Sequence, residues 1–162
     1  MPWNKTYRPA RNQRMDPELY TCANLVYFLT IRAYRNRSPF ETESLARLAL
    51  DVLREEQERL ECTVFTYCLM PDHLHFLVAP RRDGISVIDF THQYKGKTTN
   101  RSWALGWRGK LWQPSLYDHI VRAEEDLNAI AGYIQDNPVR KELVVDAAEW
   151  NWSGSMNPLP GT

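Results

Sequence analysis

The spacing of apolar and polar residues predicts four strands and three helices in the order β-α-β-β-α-β-α. Strands are predicted where β-branched and aromatic residues concentrate, at 22–32, 62–69, 73–80 and 116–122. Helices are predicted at 43–60, 86–101 and 124–137, with a Trp- and Gly-containing irregular stretch at 102–115. This order is that of the ferredoxin-like βαββαβ sandwich, an α+β fold with an antiparallel sheet, followed here by an additional C-terminal helix.

The length of 162 residues is typical of one domain. We expect a basic N-terminal arm at 1–20, a domain at 21–155 and a flexible tail at 156–162. No apolar run approaches the ~18 residues of a membrane span, and the N-terminus lacks the apolar segment of a secretory signal. The three cysteines are an odd number without a CxxC pair, which favours reduced thiols in a cytoplasmic protein.

Charge is balanced overall but unevenly distributed along the chain. The 20 Lys and Arg residues equal the 20 Asp and Glu residues, which argues against indiscriminate nucleic-acid binding. Two stretches, 1–14 and 91–116, contain basic residues and no acid, and three tryptophans of the second stretch could stack on bases or pack in the core. The candidate DNA-binding residues are Arg8, Arg11, Arg14, Lys95, Lys97, Arg101, Arg108 and Lys110.

Two histidines, His73 and His75, stand two residues apart at the start of a predicted strand. Alternation along a strand places both imidazoles on one face and Leu74 on the other. Two imidazoles in this position can bind a divalent cation, although such a pair is also common at surfaces and in packing. Oxygen ligands that could complete a site are available from Asp72, Gln135 or Asn137.

The last predicted helix carries Tyr133 and, four residues later, Asn137. This spacing places both side chains on one face of a helix. A phenol can act as a nucleophile on a polarised phosphate, and an amide oxygen one turn away can bind the same cation. A helical tyrosine taken alone is also an ordinary packing residue.

Several segments together resemble a known family. They are TIRAYRNRSPF, YCLMPDHLHFLVAP, LWQPSLYDHIVRAEEDLNAIAGYIQDNPVRKELV and the closing WNWSG. These segments resemble the REP-associated tyrosine transposases, which belong to the HUH single-strand nucleases and are related to single-tyrosine insertion-sequence transposases. The resemblance covers about residues 22–155.

The resemblance implies a role for each matching residue. His73 and His75 match the metal ligands of the family, Asn137 matches a third ligand, and Tyr133 matches the nucleophile. The family implies attack by the tyrosine on a phosphate of single-stranded DNA, which leaves a 5′-phosphotyrosine and a free 3′-hydroxyl. The implied cofactor is Mg²⁺ or Mn²⁺.

The resemblance also implies a partner and a location. The partner would be single-stranded DNA with palindromic repeat hairpins, in association with the bacterial nucleoid, while a monomer and a homodimer both stay open. Asp72 replaces the more common asparagine and adds a carboxylate near the metal ligands. His119 matches a family position and is a second auxiliary candidate without an assigned role.

Two alternatives stay open at the level of sequence. One is a non-catalytic nucleic-acid module, because a ferredoxin-like sheet is also the architecture of the RRM, although the RNP aromatic pattern is absent. The other is a metal-dependent phosphoesterase that activates water and forms no covalent adduct with DNA. Replacement of Tyr133 by Phe would separate a binding module from a transposase.

Overall fold

A five-stranded antiparallel sheet forms the centre of the computed structural model, which describes residues 16–161. The strand order is β4-β1-β3-β2-β5, and its first four members follow the ferredoxin-like arrangement that the sequence predicts. The strands are Val26–Arg32 (β1), Cys62–Met70 (β2), His73–Pro80 (β3), Tyr117–Val121 (β4) and Ser153–Ser155 (β5).

Helices cover both faces of the sheet. The helices are Glu43–Arg59 (α1), Val87–Ala104 (α2), Leu127–Gln135 (α3) and the short Asn137–Arg140 (α4). Leu74 and Phe76 of β3 belong to the apolar cluster that α1 and α2 cover. Leu77 belongs to a second cluster on the opposite face, together with Ile130 and Ile134 of α3. Strand alternation therefore gives β3 one face toward α1 and α2 and another toward α3.

The last predicted helix, 124–137, is shorter than expected and is divided in two. It begins after Asp126, because that carboxylate accepts hydrogen bonds from the backbone N–H groups of Asn128 and Ala129. It ends at the start of α4, whose first turn contains Pro138. A proline has no N–H to donate to the preceding turn, which accounts for the interruption.

Two other boundaries differ from the sequence prediction, and one strand is additional. The first strand begins at Val26 rather than at residue 22, because a turn precedes it in which Leu25 N–H donates to the Cys22 carbonyl. Helix α2 continues to Ala104, so 102–104 are helical and not irregular. The strand β5 was not expected from the sequence. It pairs with residues 66–68 of β2.

Both ends of the described chain are attached to the body of the protein. Tyr20, in the predicted arm, is buried, and its hydroxyl donates to a carboxylate oxygen of Asp118 at 2.7 Å. Asn157, in the predicted tail, donates to the Val64 carbonyl at 2.7 Å. Within 16–161 no helix is long and apolar enough to cross a membrane. The predicted DNA-binding residues Arg8, Arg11 and Arg14 lie outside the described residues.

Candidate active site

His73 and His75 lie side by side on the face of the sheet that α3 covers. Their ring centroids are 4.5 Å apart, in an edge-to-face arrangement. On the neighbouring strand β1, Thr30 stands opposite His75, and its hydroxyl oxygen lies 2.6 Å from His75 Nδ1. The ring of Phe28 stacks on that of His75 with the centroids 5.6 Å apart. Both imidazoles are therefore on one face, as the strand alternation predicts, and are fixed by contacts from β1.

His73 contacts two further residues, one through each ring nitrogen. Its Nδ1 lies 2.6 Å from a carboxylate oxygen of Asp72. Its Nε2 lies 3.1 Å from the side-chain amide of Asn137, in a buried contact. Asn137 is 64 residues from His73 in the sequence, and the fold brings it from α4 to the histidine pair on β3.

Both histidines are held in the neutral form at neutral pH. Burial lowers the pKa of His73, although the neighbouring Asp72 opposes part of that effect. Burial also lowers the pKa of His75 well below its ordinary value, and repulsion from a protonated His73 and from nearby arginine and lysine side chains adds to the decrease. A neutral imidazole has a lone pair available for a metal ion, and an imidazolium has none.

The donor set fits a divalent cation. In the described residues no three His, Cys, Asp or Glu side chains form a group that could hold a metal ion, and the third candidate ligand beside the two histidines is an amide. The side chain of Asn137 supplies that amide. Its Nδ2 faces His73, and a 180° rotation of the amide group would present Oδ1 instead. An oxygen ligand suits Mg²⁺ or Mn²⁺. The Asp72–His73 contact also fits, because a metal-binding histidine usually donates its other N–H to a carboxylate.

Tyr133 lies on α3, one turn before Asn137 along the chain. The two residues belong to successive helices and not to one continuous helix as expected. Tyr133 is partly exposed, and the guanidinium of Arg140 lies over its ring, 3.8 Å from the centroid. The phenol is thus carried by the segment whose next turn contacts His73.

Positive charge surrounds the histidine pair, a feature that the sequence analysis missed. Arg32 stands directly opposite His73 on β1. Arg140 and Lys141 follow Asn137, which contacts His73, and the charges of all three basic residues contribute to the lowered pKa of His75. The available signal was the position of Arg32 two residues after Thr30, on the same strand face. Three exposed cations beside neutral imidazoles form a site suited to a phosphate.

His119 is buried on the same face of the sheet, opposite Phe28. Its Nε2 lies 3.0 Å from both carboxylate oxygens of Glu125. One of these oxygens also accepts the backbone N–H of Arg122. The pair therefore joins β4 to the turn that leads into α3, which is a structural connection close to the site.

Three of the predicted DNA-binding cations lie on α2, on the opposite side of the sheet from the histidines. Lys95 is buried, and its ammonium donates to the backbone carbonyls of Gln113 and Ser115 at 2.9 Å each. Lys97 and Arg101 form ion pairs with acids of α1. All three side chains thus already have partners within the protein, and their contact with DNA stays a prediction.

The tryptophans of the second basic stretch divide into two kinds. Trp112 is a core residue: it is buried, and its indole N–H donates to Thr98. Trp103, near the end of α2, and Trp107, in the loop that follows, lie at the surface. Two exposed cations of that loop, Arg108 and Lys110, are among the predicted DNA-binding residues.

Comparison with known proteins gives consistent results. The model of the family "Transposase IS200 like" matches residues 21–137. The chain is 23% identical to the REP-associated tyrosine transposase of Escherichia coli (strain K12) over 128 residues, which cover 78% of this chain and 74% of that protein. Its fold matches a solved REP-associated tyrosine transposase bound to a REP hairpin, with a TM-score of 0.73 at 19% identity, covering 90% of this chain and 82% of that one.

The chain belongs to the IS200-like transposase family. Transposases of this kind are DNA-cleaving enzymes, so the non-catalytic module considered from the sequence is set aside.

Proposed function

We propose that this transposase cleaves and rejoins single-stranded DNA at palindromic repeat hairpins through a 5′-phosphotyrosine intermediate. Tyr133 would be the nucleophile, and His73, His75 and Asn137 would hold Mg²⁺ or Mn²⁺. The observation that carries this proposal is the contact between His73 Nε2 and the Asn137 amide at 3.1 Å. That contact seats the tyrosine-bearing segment against the histidine-bearing strand.

The proposed substrate follows from the relatives and from the charge of the site. The solved relative is bound to a REP hairpin. In this chain, Arg32, Arg140 and Lys141 surround the histidines, and a DNA phosphate is the anion that such a cluster would bind. A single strand is favoured over a duplex, because a tyrosine on a helix needs an exposed and bendable backbone for in-line attack.

In the proposed reaction the phenol oxygen of Tyr133 forms a bond to the scissile phosphorus. The bond between that phosphorus and the 3′ oxygen breaks on the opposite side. The phenol releases its proton to solvent, and the departing oxygen gains a proton to become a 3′-hydroxyl. A 3′-hydroxyl from another strand end can reverse the step, so rejoining conserves the phosphodiester energy.

The residues of the site have separate tasks in this scheme. A divalent cation held by the histidines and Asn137 would neutralise charge on the phosphate and increase its electrophilicity. Asp72 would hold His73 in the tautomer that has its lone pair on Nε2. Thr30 would orient His75 in the same manner. Arg140 lies over the tyrosine ring and would contact the phosphate beside it.

The test is a covalent-adduct assay on single-stranded hairpin DNA in the presence of Mg²⁺ or Mn²⁺. We expect an adduct that is stable in SDS, with the 5′ phosphate mapped to Tyr133. Tyr133→Phe keeps the ring beneath Arg140 and should bind DNA normally while forming no adduct. Tyr117→Phe is the matched control, because Tyr117 is exposed and stands opposite Thr30, which contacts His75.

Two results would contradict the proposal. An adduct that persists in Tyr133→Phe and disappears in Tyr117→Phe would move the nucleophile to β4. Cleavage without any adduct would indicate activated water, which is the phosphoesterase alternative.

A further inference from the structure

We infer that Trp103 is a stacking platform for an unpaired base of the DNA, in a subsite separate from the phosphate-cleaving centre. This inference rests on the proposed function only for the identity of the ligand as single-stranded DNA. The subsite is an open cleft of about 400 Å³ at the end of α2. Its lining is formed by Trp103, Gly106, Trp107, Arg108 and Gly109.

The ring of Trp103 is fixed in place and yet exposed. Trp103 is 51% exposed, which is unusual for a tryptophan. Its N–H donates to the Gly109 carbonyl at 2.8 Å, so the orientation of the ring is set before any ligand arrives. An exposed aromatic ring of fixed orientation offers a face for stacking at a low cost in conformational entropy.

Two glycines shape the backbone that lines this cleft. Gly106 and Gly109 adopt positive φ angles of 94° and 80°, which side-chain-bearing residues rarely adopt. A Cβ built at either position meets no atom within 4 Å, so both glycines face open space. The glycines thus provide the turn that brings the Gly109 carbonyl to the indole N–H of Trp103.

The charge around the cleft matches a nucleic-acid backbone. The guanidinium of Arg37 lies over the Trp107 ring, 4.1 Å from its centroid, and Arg108 lines the cleft. The ammonium of Lys110 lies over the ring of Tyr34 at 5.3 Å. No acid occurs between residues 90 and 117 of the chain. Cations interleaved with aromatic rings are the combination that binds single-stranded nucleic acid without reading its sequence.

The loop is attached to the end of β1, the strand next to the one that carries the two histidines. Tyr34 N–H donates to the Leu111 carbonyl at 2.9 Å, and Gln113 N–H donates to the Arg32 carbonyl at 2.9 Å. Arg32 stands opposite His73. The buried Lys95 holds the far end of the loop through the Gln113 carbonyl. The cleft therefore has a fixed position relative to β1 and the neighbouring histidine strand.

The test compares two fluorescein-labelled probes of equal length and phosphate number, a thymidine oligonucleotide and an abasic sugar–phosphate oligomer. Wild-type protein should bind the thymidine probe more tightly, by fluorescence anisotropy, because only that probe has bases to stack. Trp103→Leu should lose most of this preference, by roughly tenfold or about 1.4 kcal/mol, while binding the abasic probe as before. Trp103→Phe, which retains a ring, should recover part of it.

The matched control is Leu105→Ala, which removes a similarly exposed apolar side chain of the same loop without removing a ring. It should leave the preference unchanged. The inference is overturned if Trp103→Leu keeps the wild-type preference, or if it weakens both probes equally. Because these measurements need no cleavage, they can succeed when the Tyr133 adduct assay fails, and the reverse also holds.

Discussion

The Nδ1 atom of His73 lies 2.6 Å from a carboxylate oxygen of Asp72, the residue that precedes it in the chain. The carboxylate accepts the Nδ1–H, so the lone pair of the ring is on Nε2, which faces the amide of Asn137. A turn residue therefore determines which nitrogen of the histidine can bind a cation.

Removal of the Asp72 carboxylate should weaken metal binding without removing a ligand. Asp72→Ala should raise the Mn²⁺ concentration for half-maximal adduct formation by roughly tenfold to a hundredfold. Asp72→Asn, which can still accept a hydrogen bond, should fall between that variant and the wild type. Asp51→Asn on α1 is the control for loss of an exposed carboxylate. The same Mn²⁺ requirement in Asp72→Ala and in the wild type would contradict this role.

The hydroxyl of Thr30 should matter for the same reason at the second histidine. Thr30→Val keeps the shape of the side chain but removes the oxygen that lies 2.6 Å from His75 Nδ1. We expect the adduct to require more Mn²⁺, again by roughly tenfold, while Thr30→Ser behaves like the wild type. Equal loss in both variants would point to packing and not to the hydrogen bond.

The sequence is sufficient to predict the framework of the fold and the shared face of the two candidate histidines. Apolar alternation marks four strands, and the two-residue spacing of His73 and His75 places both rings on one face. The strand β5 could not be predicted, because Ser153–Ser155 contains no apolar alternation and is defined by its pairing with β2. The proximity of Asn137 to His73 depends on how the helices pack across the sheet; the residues alone offered Asn137 as one of three oxygen donors, and the family resemblance singled it out.

Helix α2 shows why the environment of the charged residues could not be predicted from the sequence. Its basic stretch contains no acid, so its sequence indicates a free cationic surface. In the fold, Lys97 and Arg101 meet Glu55 and Glu56 of α1, which are more than forty residues away in the chain. The charge of neighbouring residues in the sequence cannot reveal partners that are distant in the chain. For the same reason it does not reveal that Arg32 and Arg140 come together after folding.

The acids of α1 should differ sharply in their effect on stability. The side chain of Glu56 is fully buried and accepts hydrogen bonds from Arg59 and Lys97, whereas that of Glu55 is 45% exposed. Glu56→Gln should lower the free energy of unfolding by about 1–3 kcal/mol in urea denaturation at neutral pH. Glu55→Gln should change it little. Equal losses would mean that burial of the ion pair does not govern its contribution.

The pH dependence of stability provides a second readout for Glu56. The hydrogen bond from Arg59 lowers the pKa of Glu56 below its ordinary value of 4.5. The unfolded chain therefore takes up a proton at this residue at higher pH than the folded protein does. The stabilisation is complete above 4.5 and is lost as the pH falls through the folded value. Glu56→Gln should show a shallower loss of stability in that acidic range.

The cysteines should react with a thiol reagent at very different rates. Burial raises the pKa of both Cys62 and Cys68 to about 12, whereas Cys22 is partly exposed. In mildly alkaline buffer a disulfide reagent should label Cys22 alone in the folded protein, and all three cysteines after denaturation. Cys22→Ser should be almost unreactive until it unfolds. Rapid labelling of folded Cys22→Ser would contradict the burial of the other two thiols.

Arg140 should affect the covalent step more than it affects DNA binding. Its guanidinium lies over the Tyr133 ring and close enough to His75 to lower the pKa of that histidine. It is therefore positioned to stabilise the charge that develops on the phosphate during attack.

In single-turnover reactions at saturating DNA, Arg140→Gln should slow adduct formation by roughly tenfold to a hundredfold. Arg140→Lys keeps the charge but not the planar fork, and should be intermediate. Arg82→Gln is the control for loss of an arginine, because Arg82 follows the end of β3 that is remote from the histidines. This variant should react at the wild-type rate. A normal single-turnover rate with weakened binding in Arg140→Gln would restrict this arginine to holding the DNA.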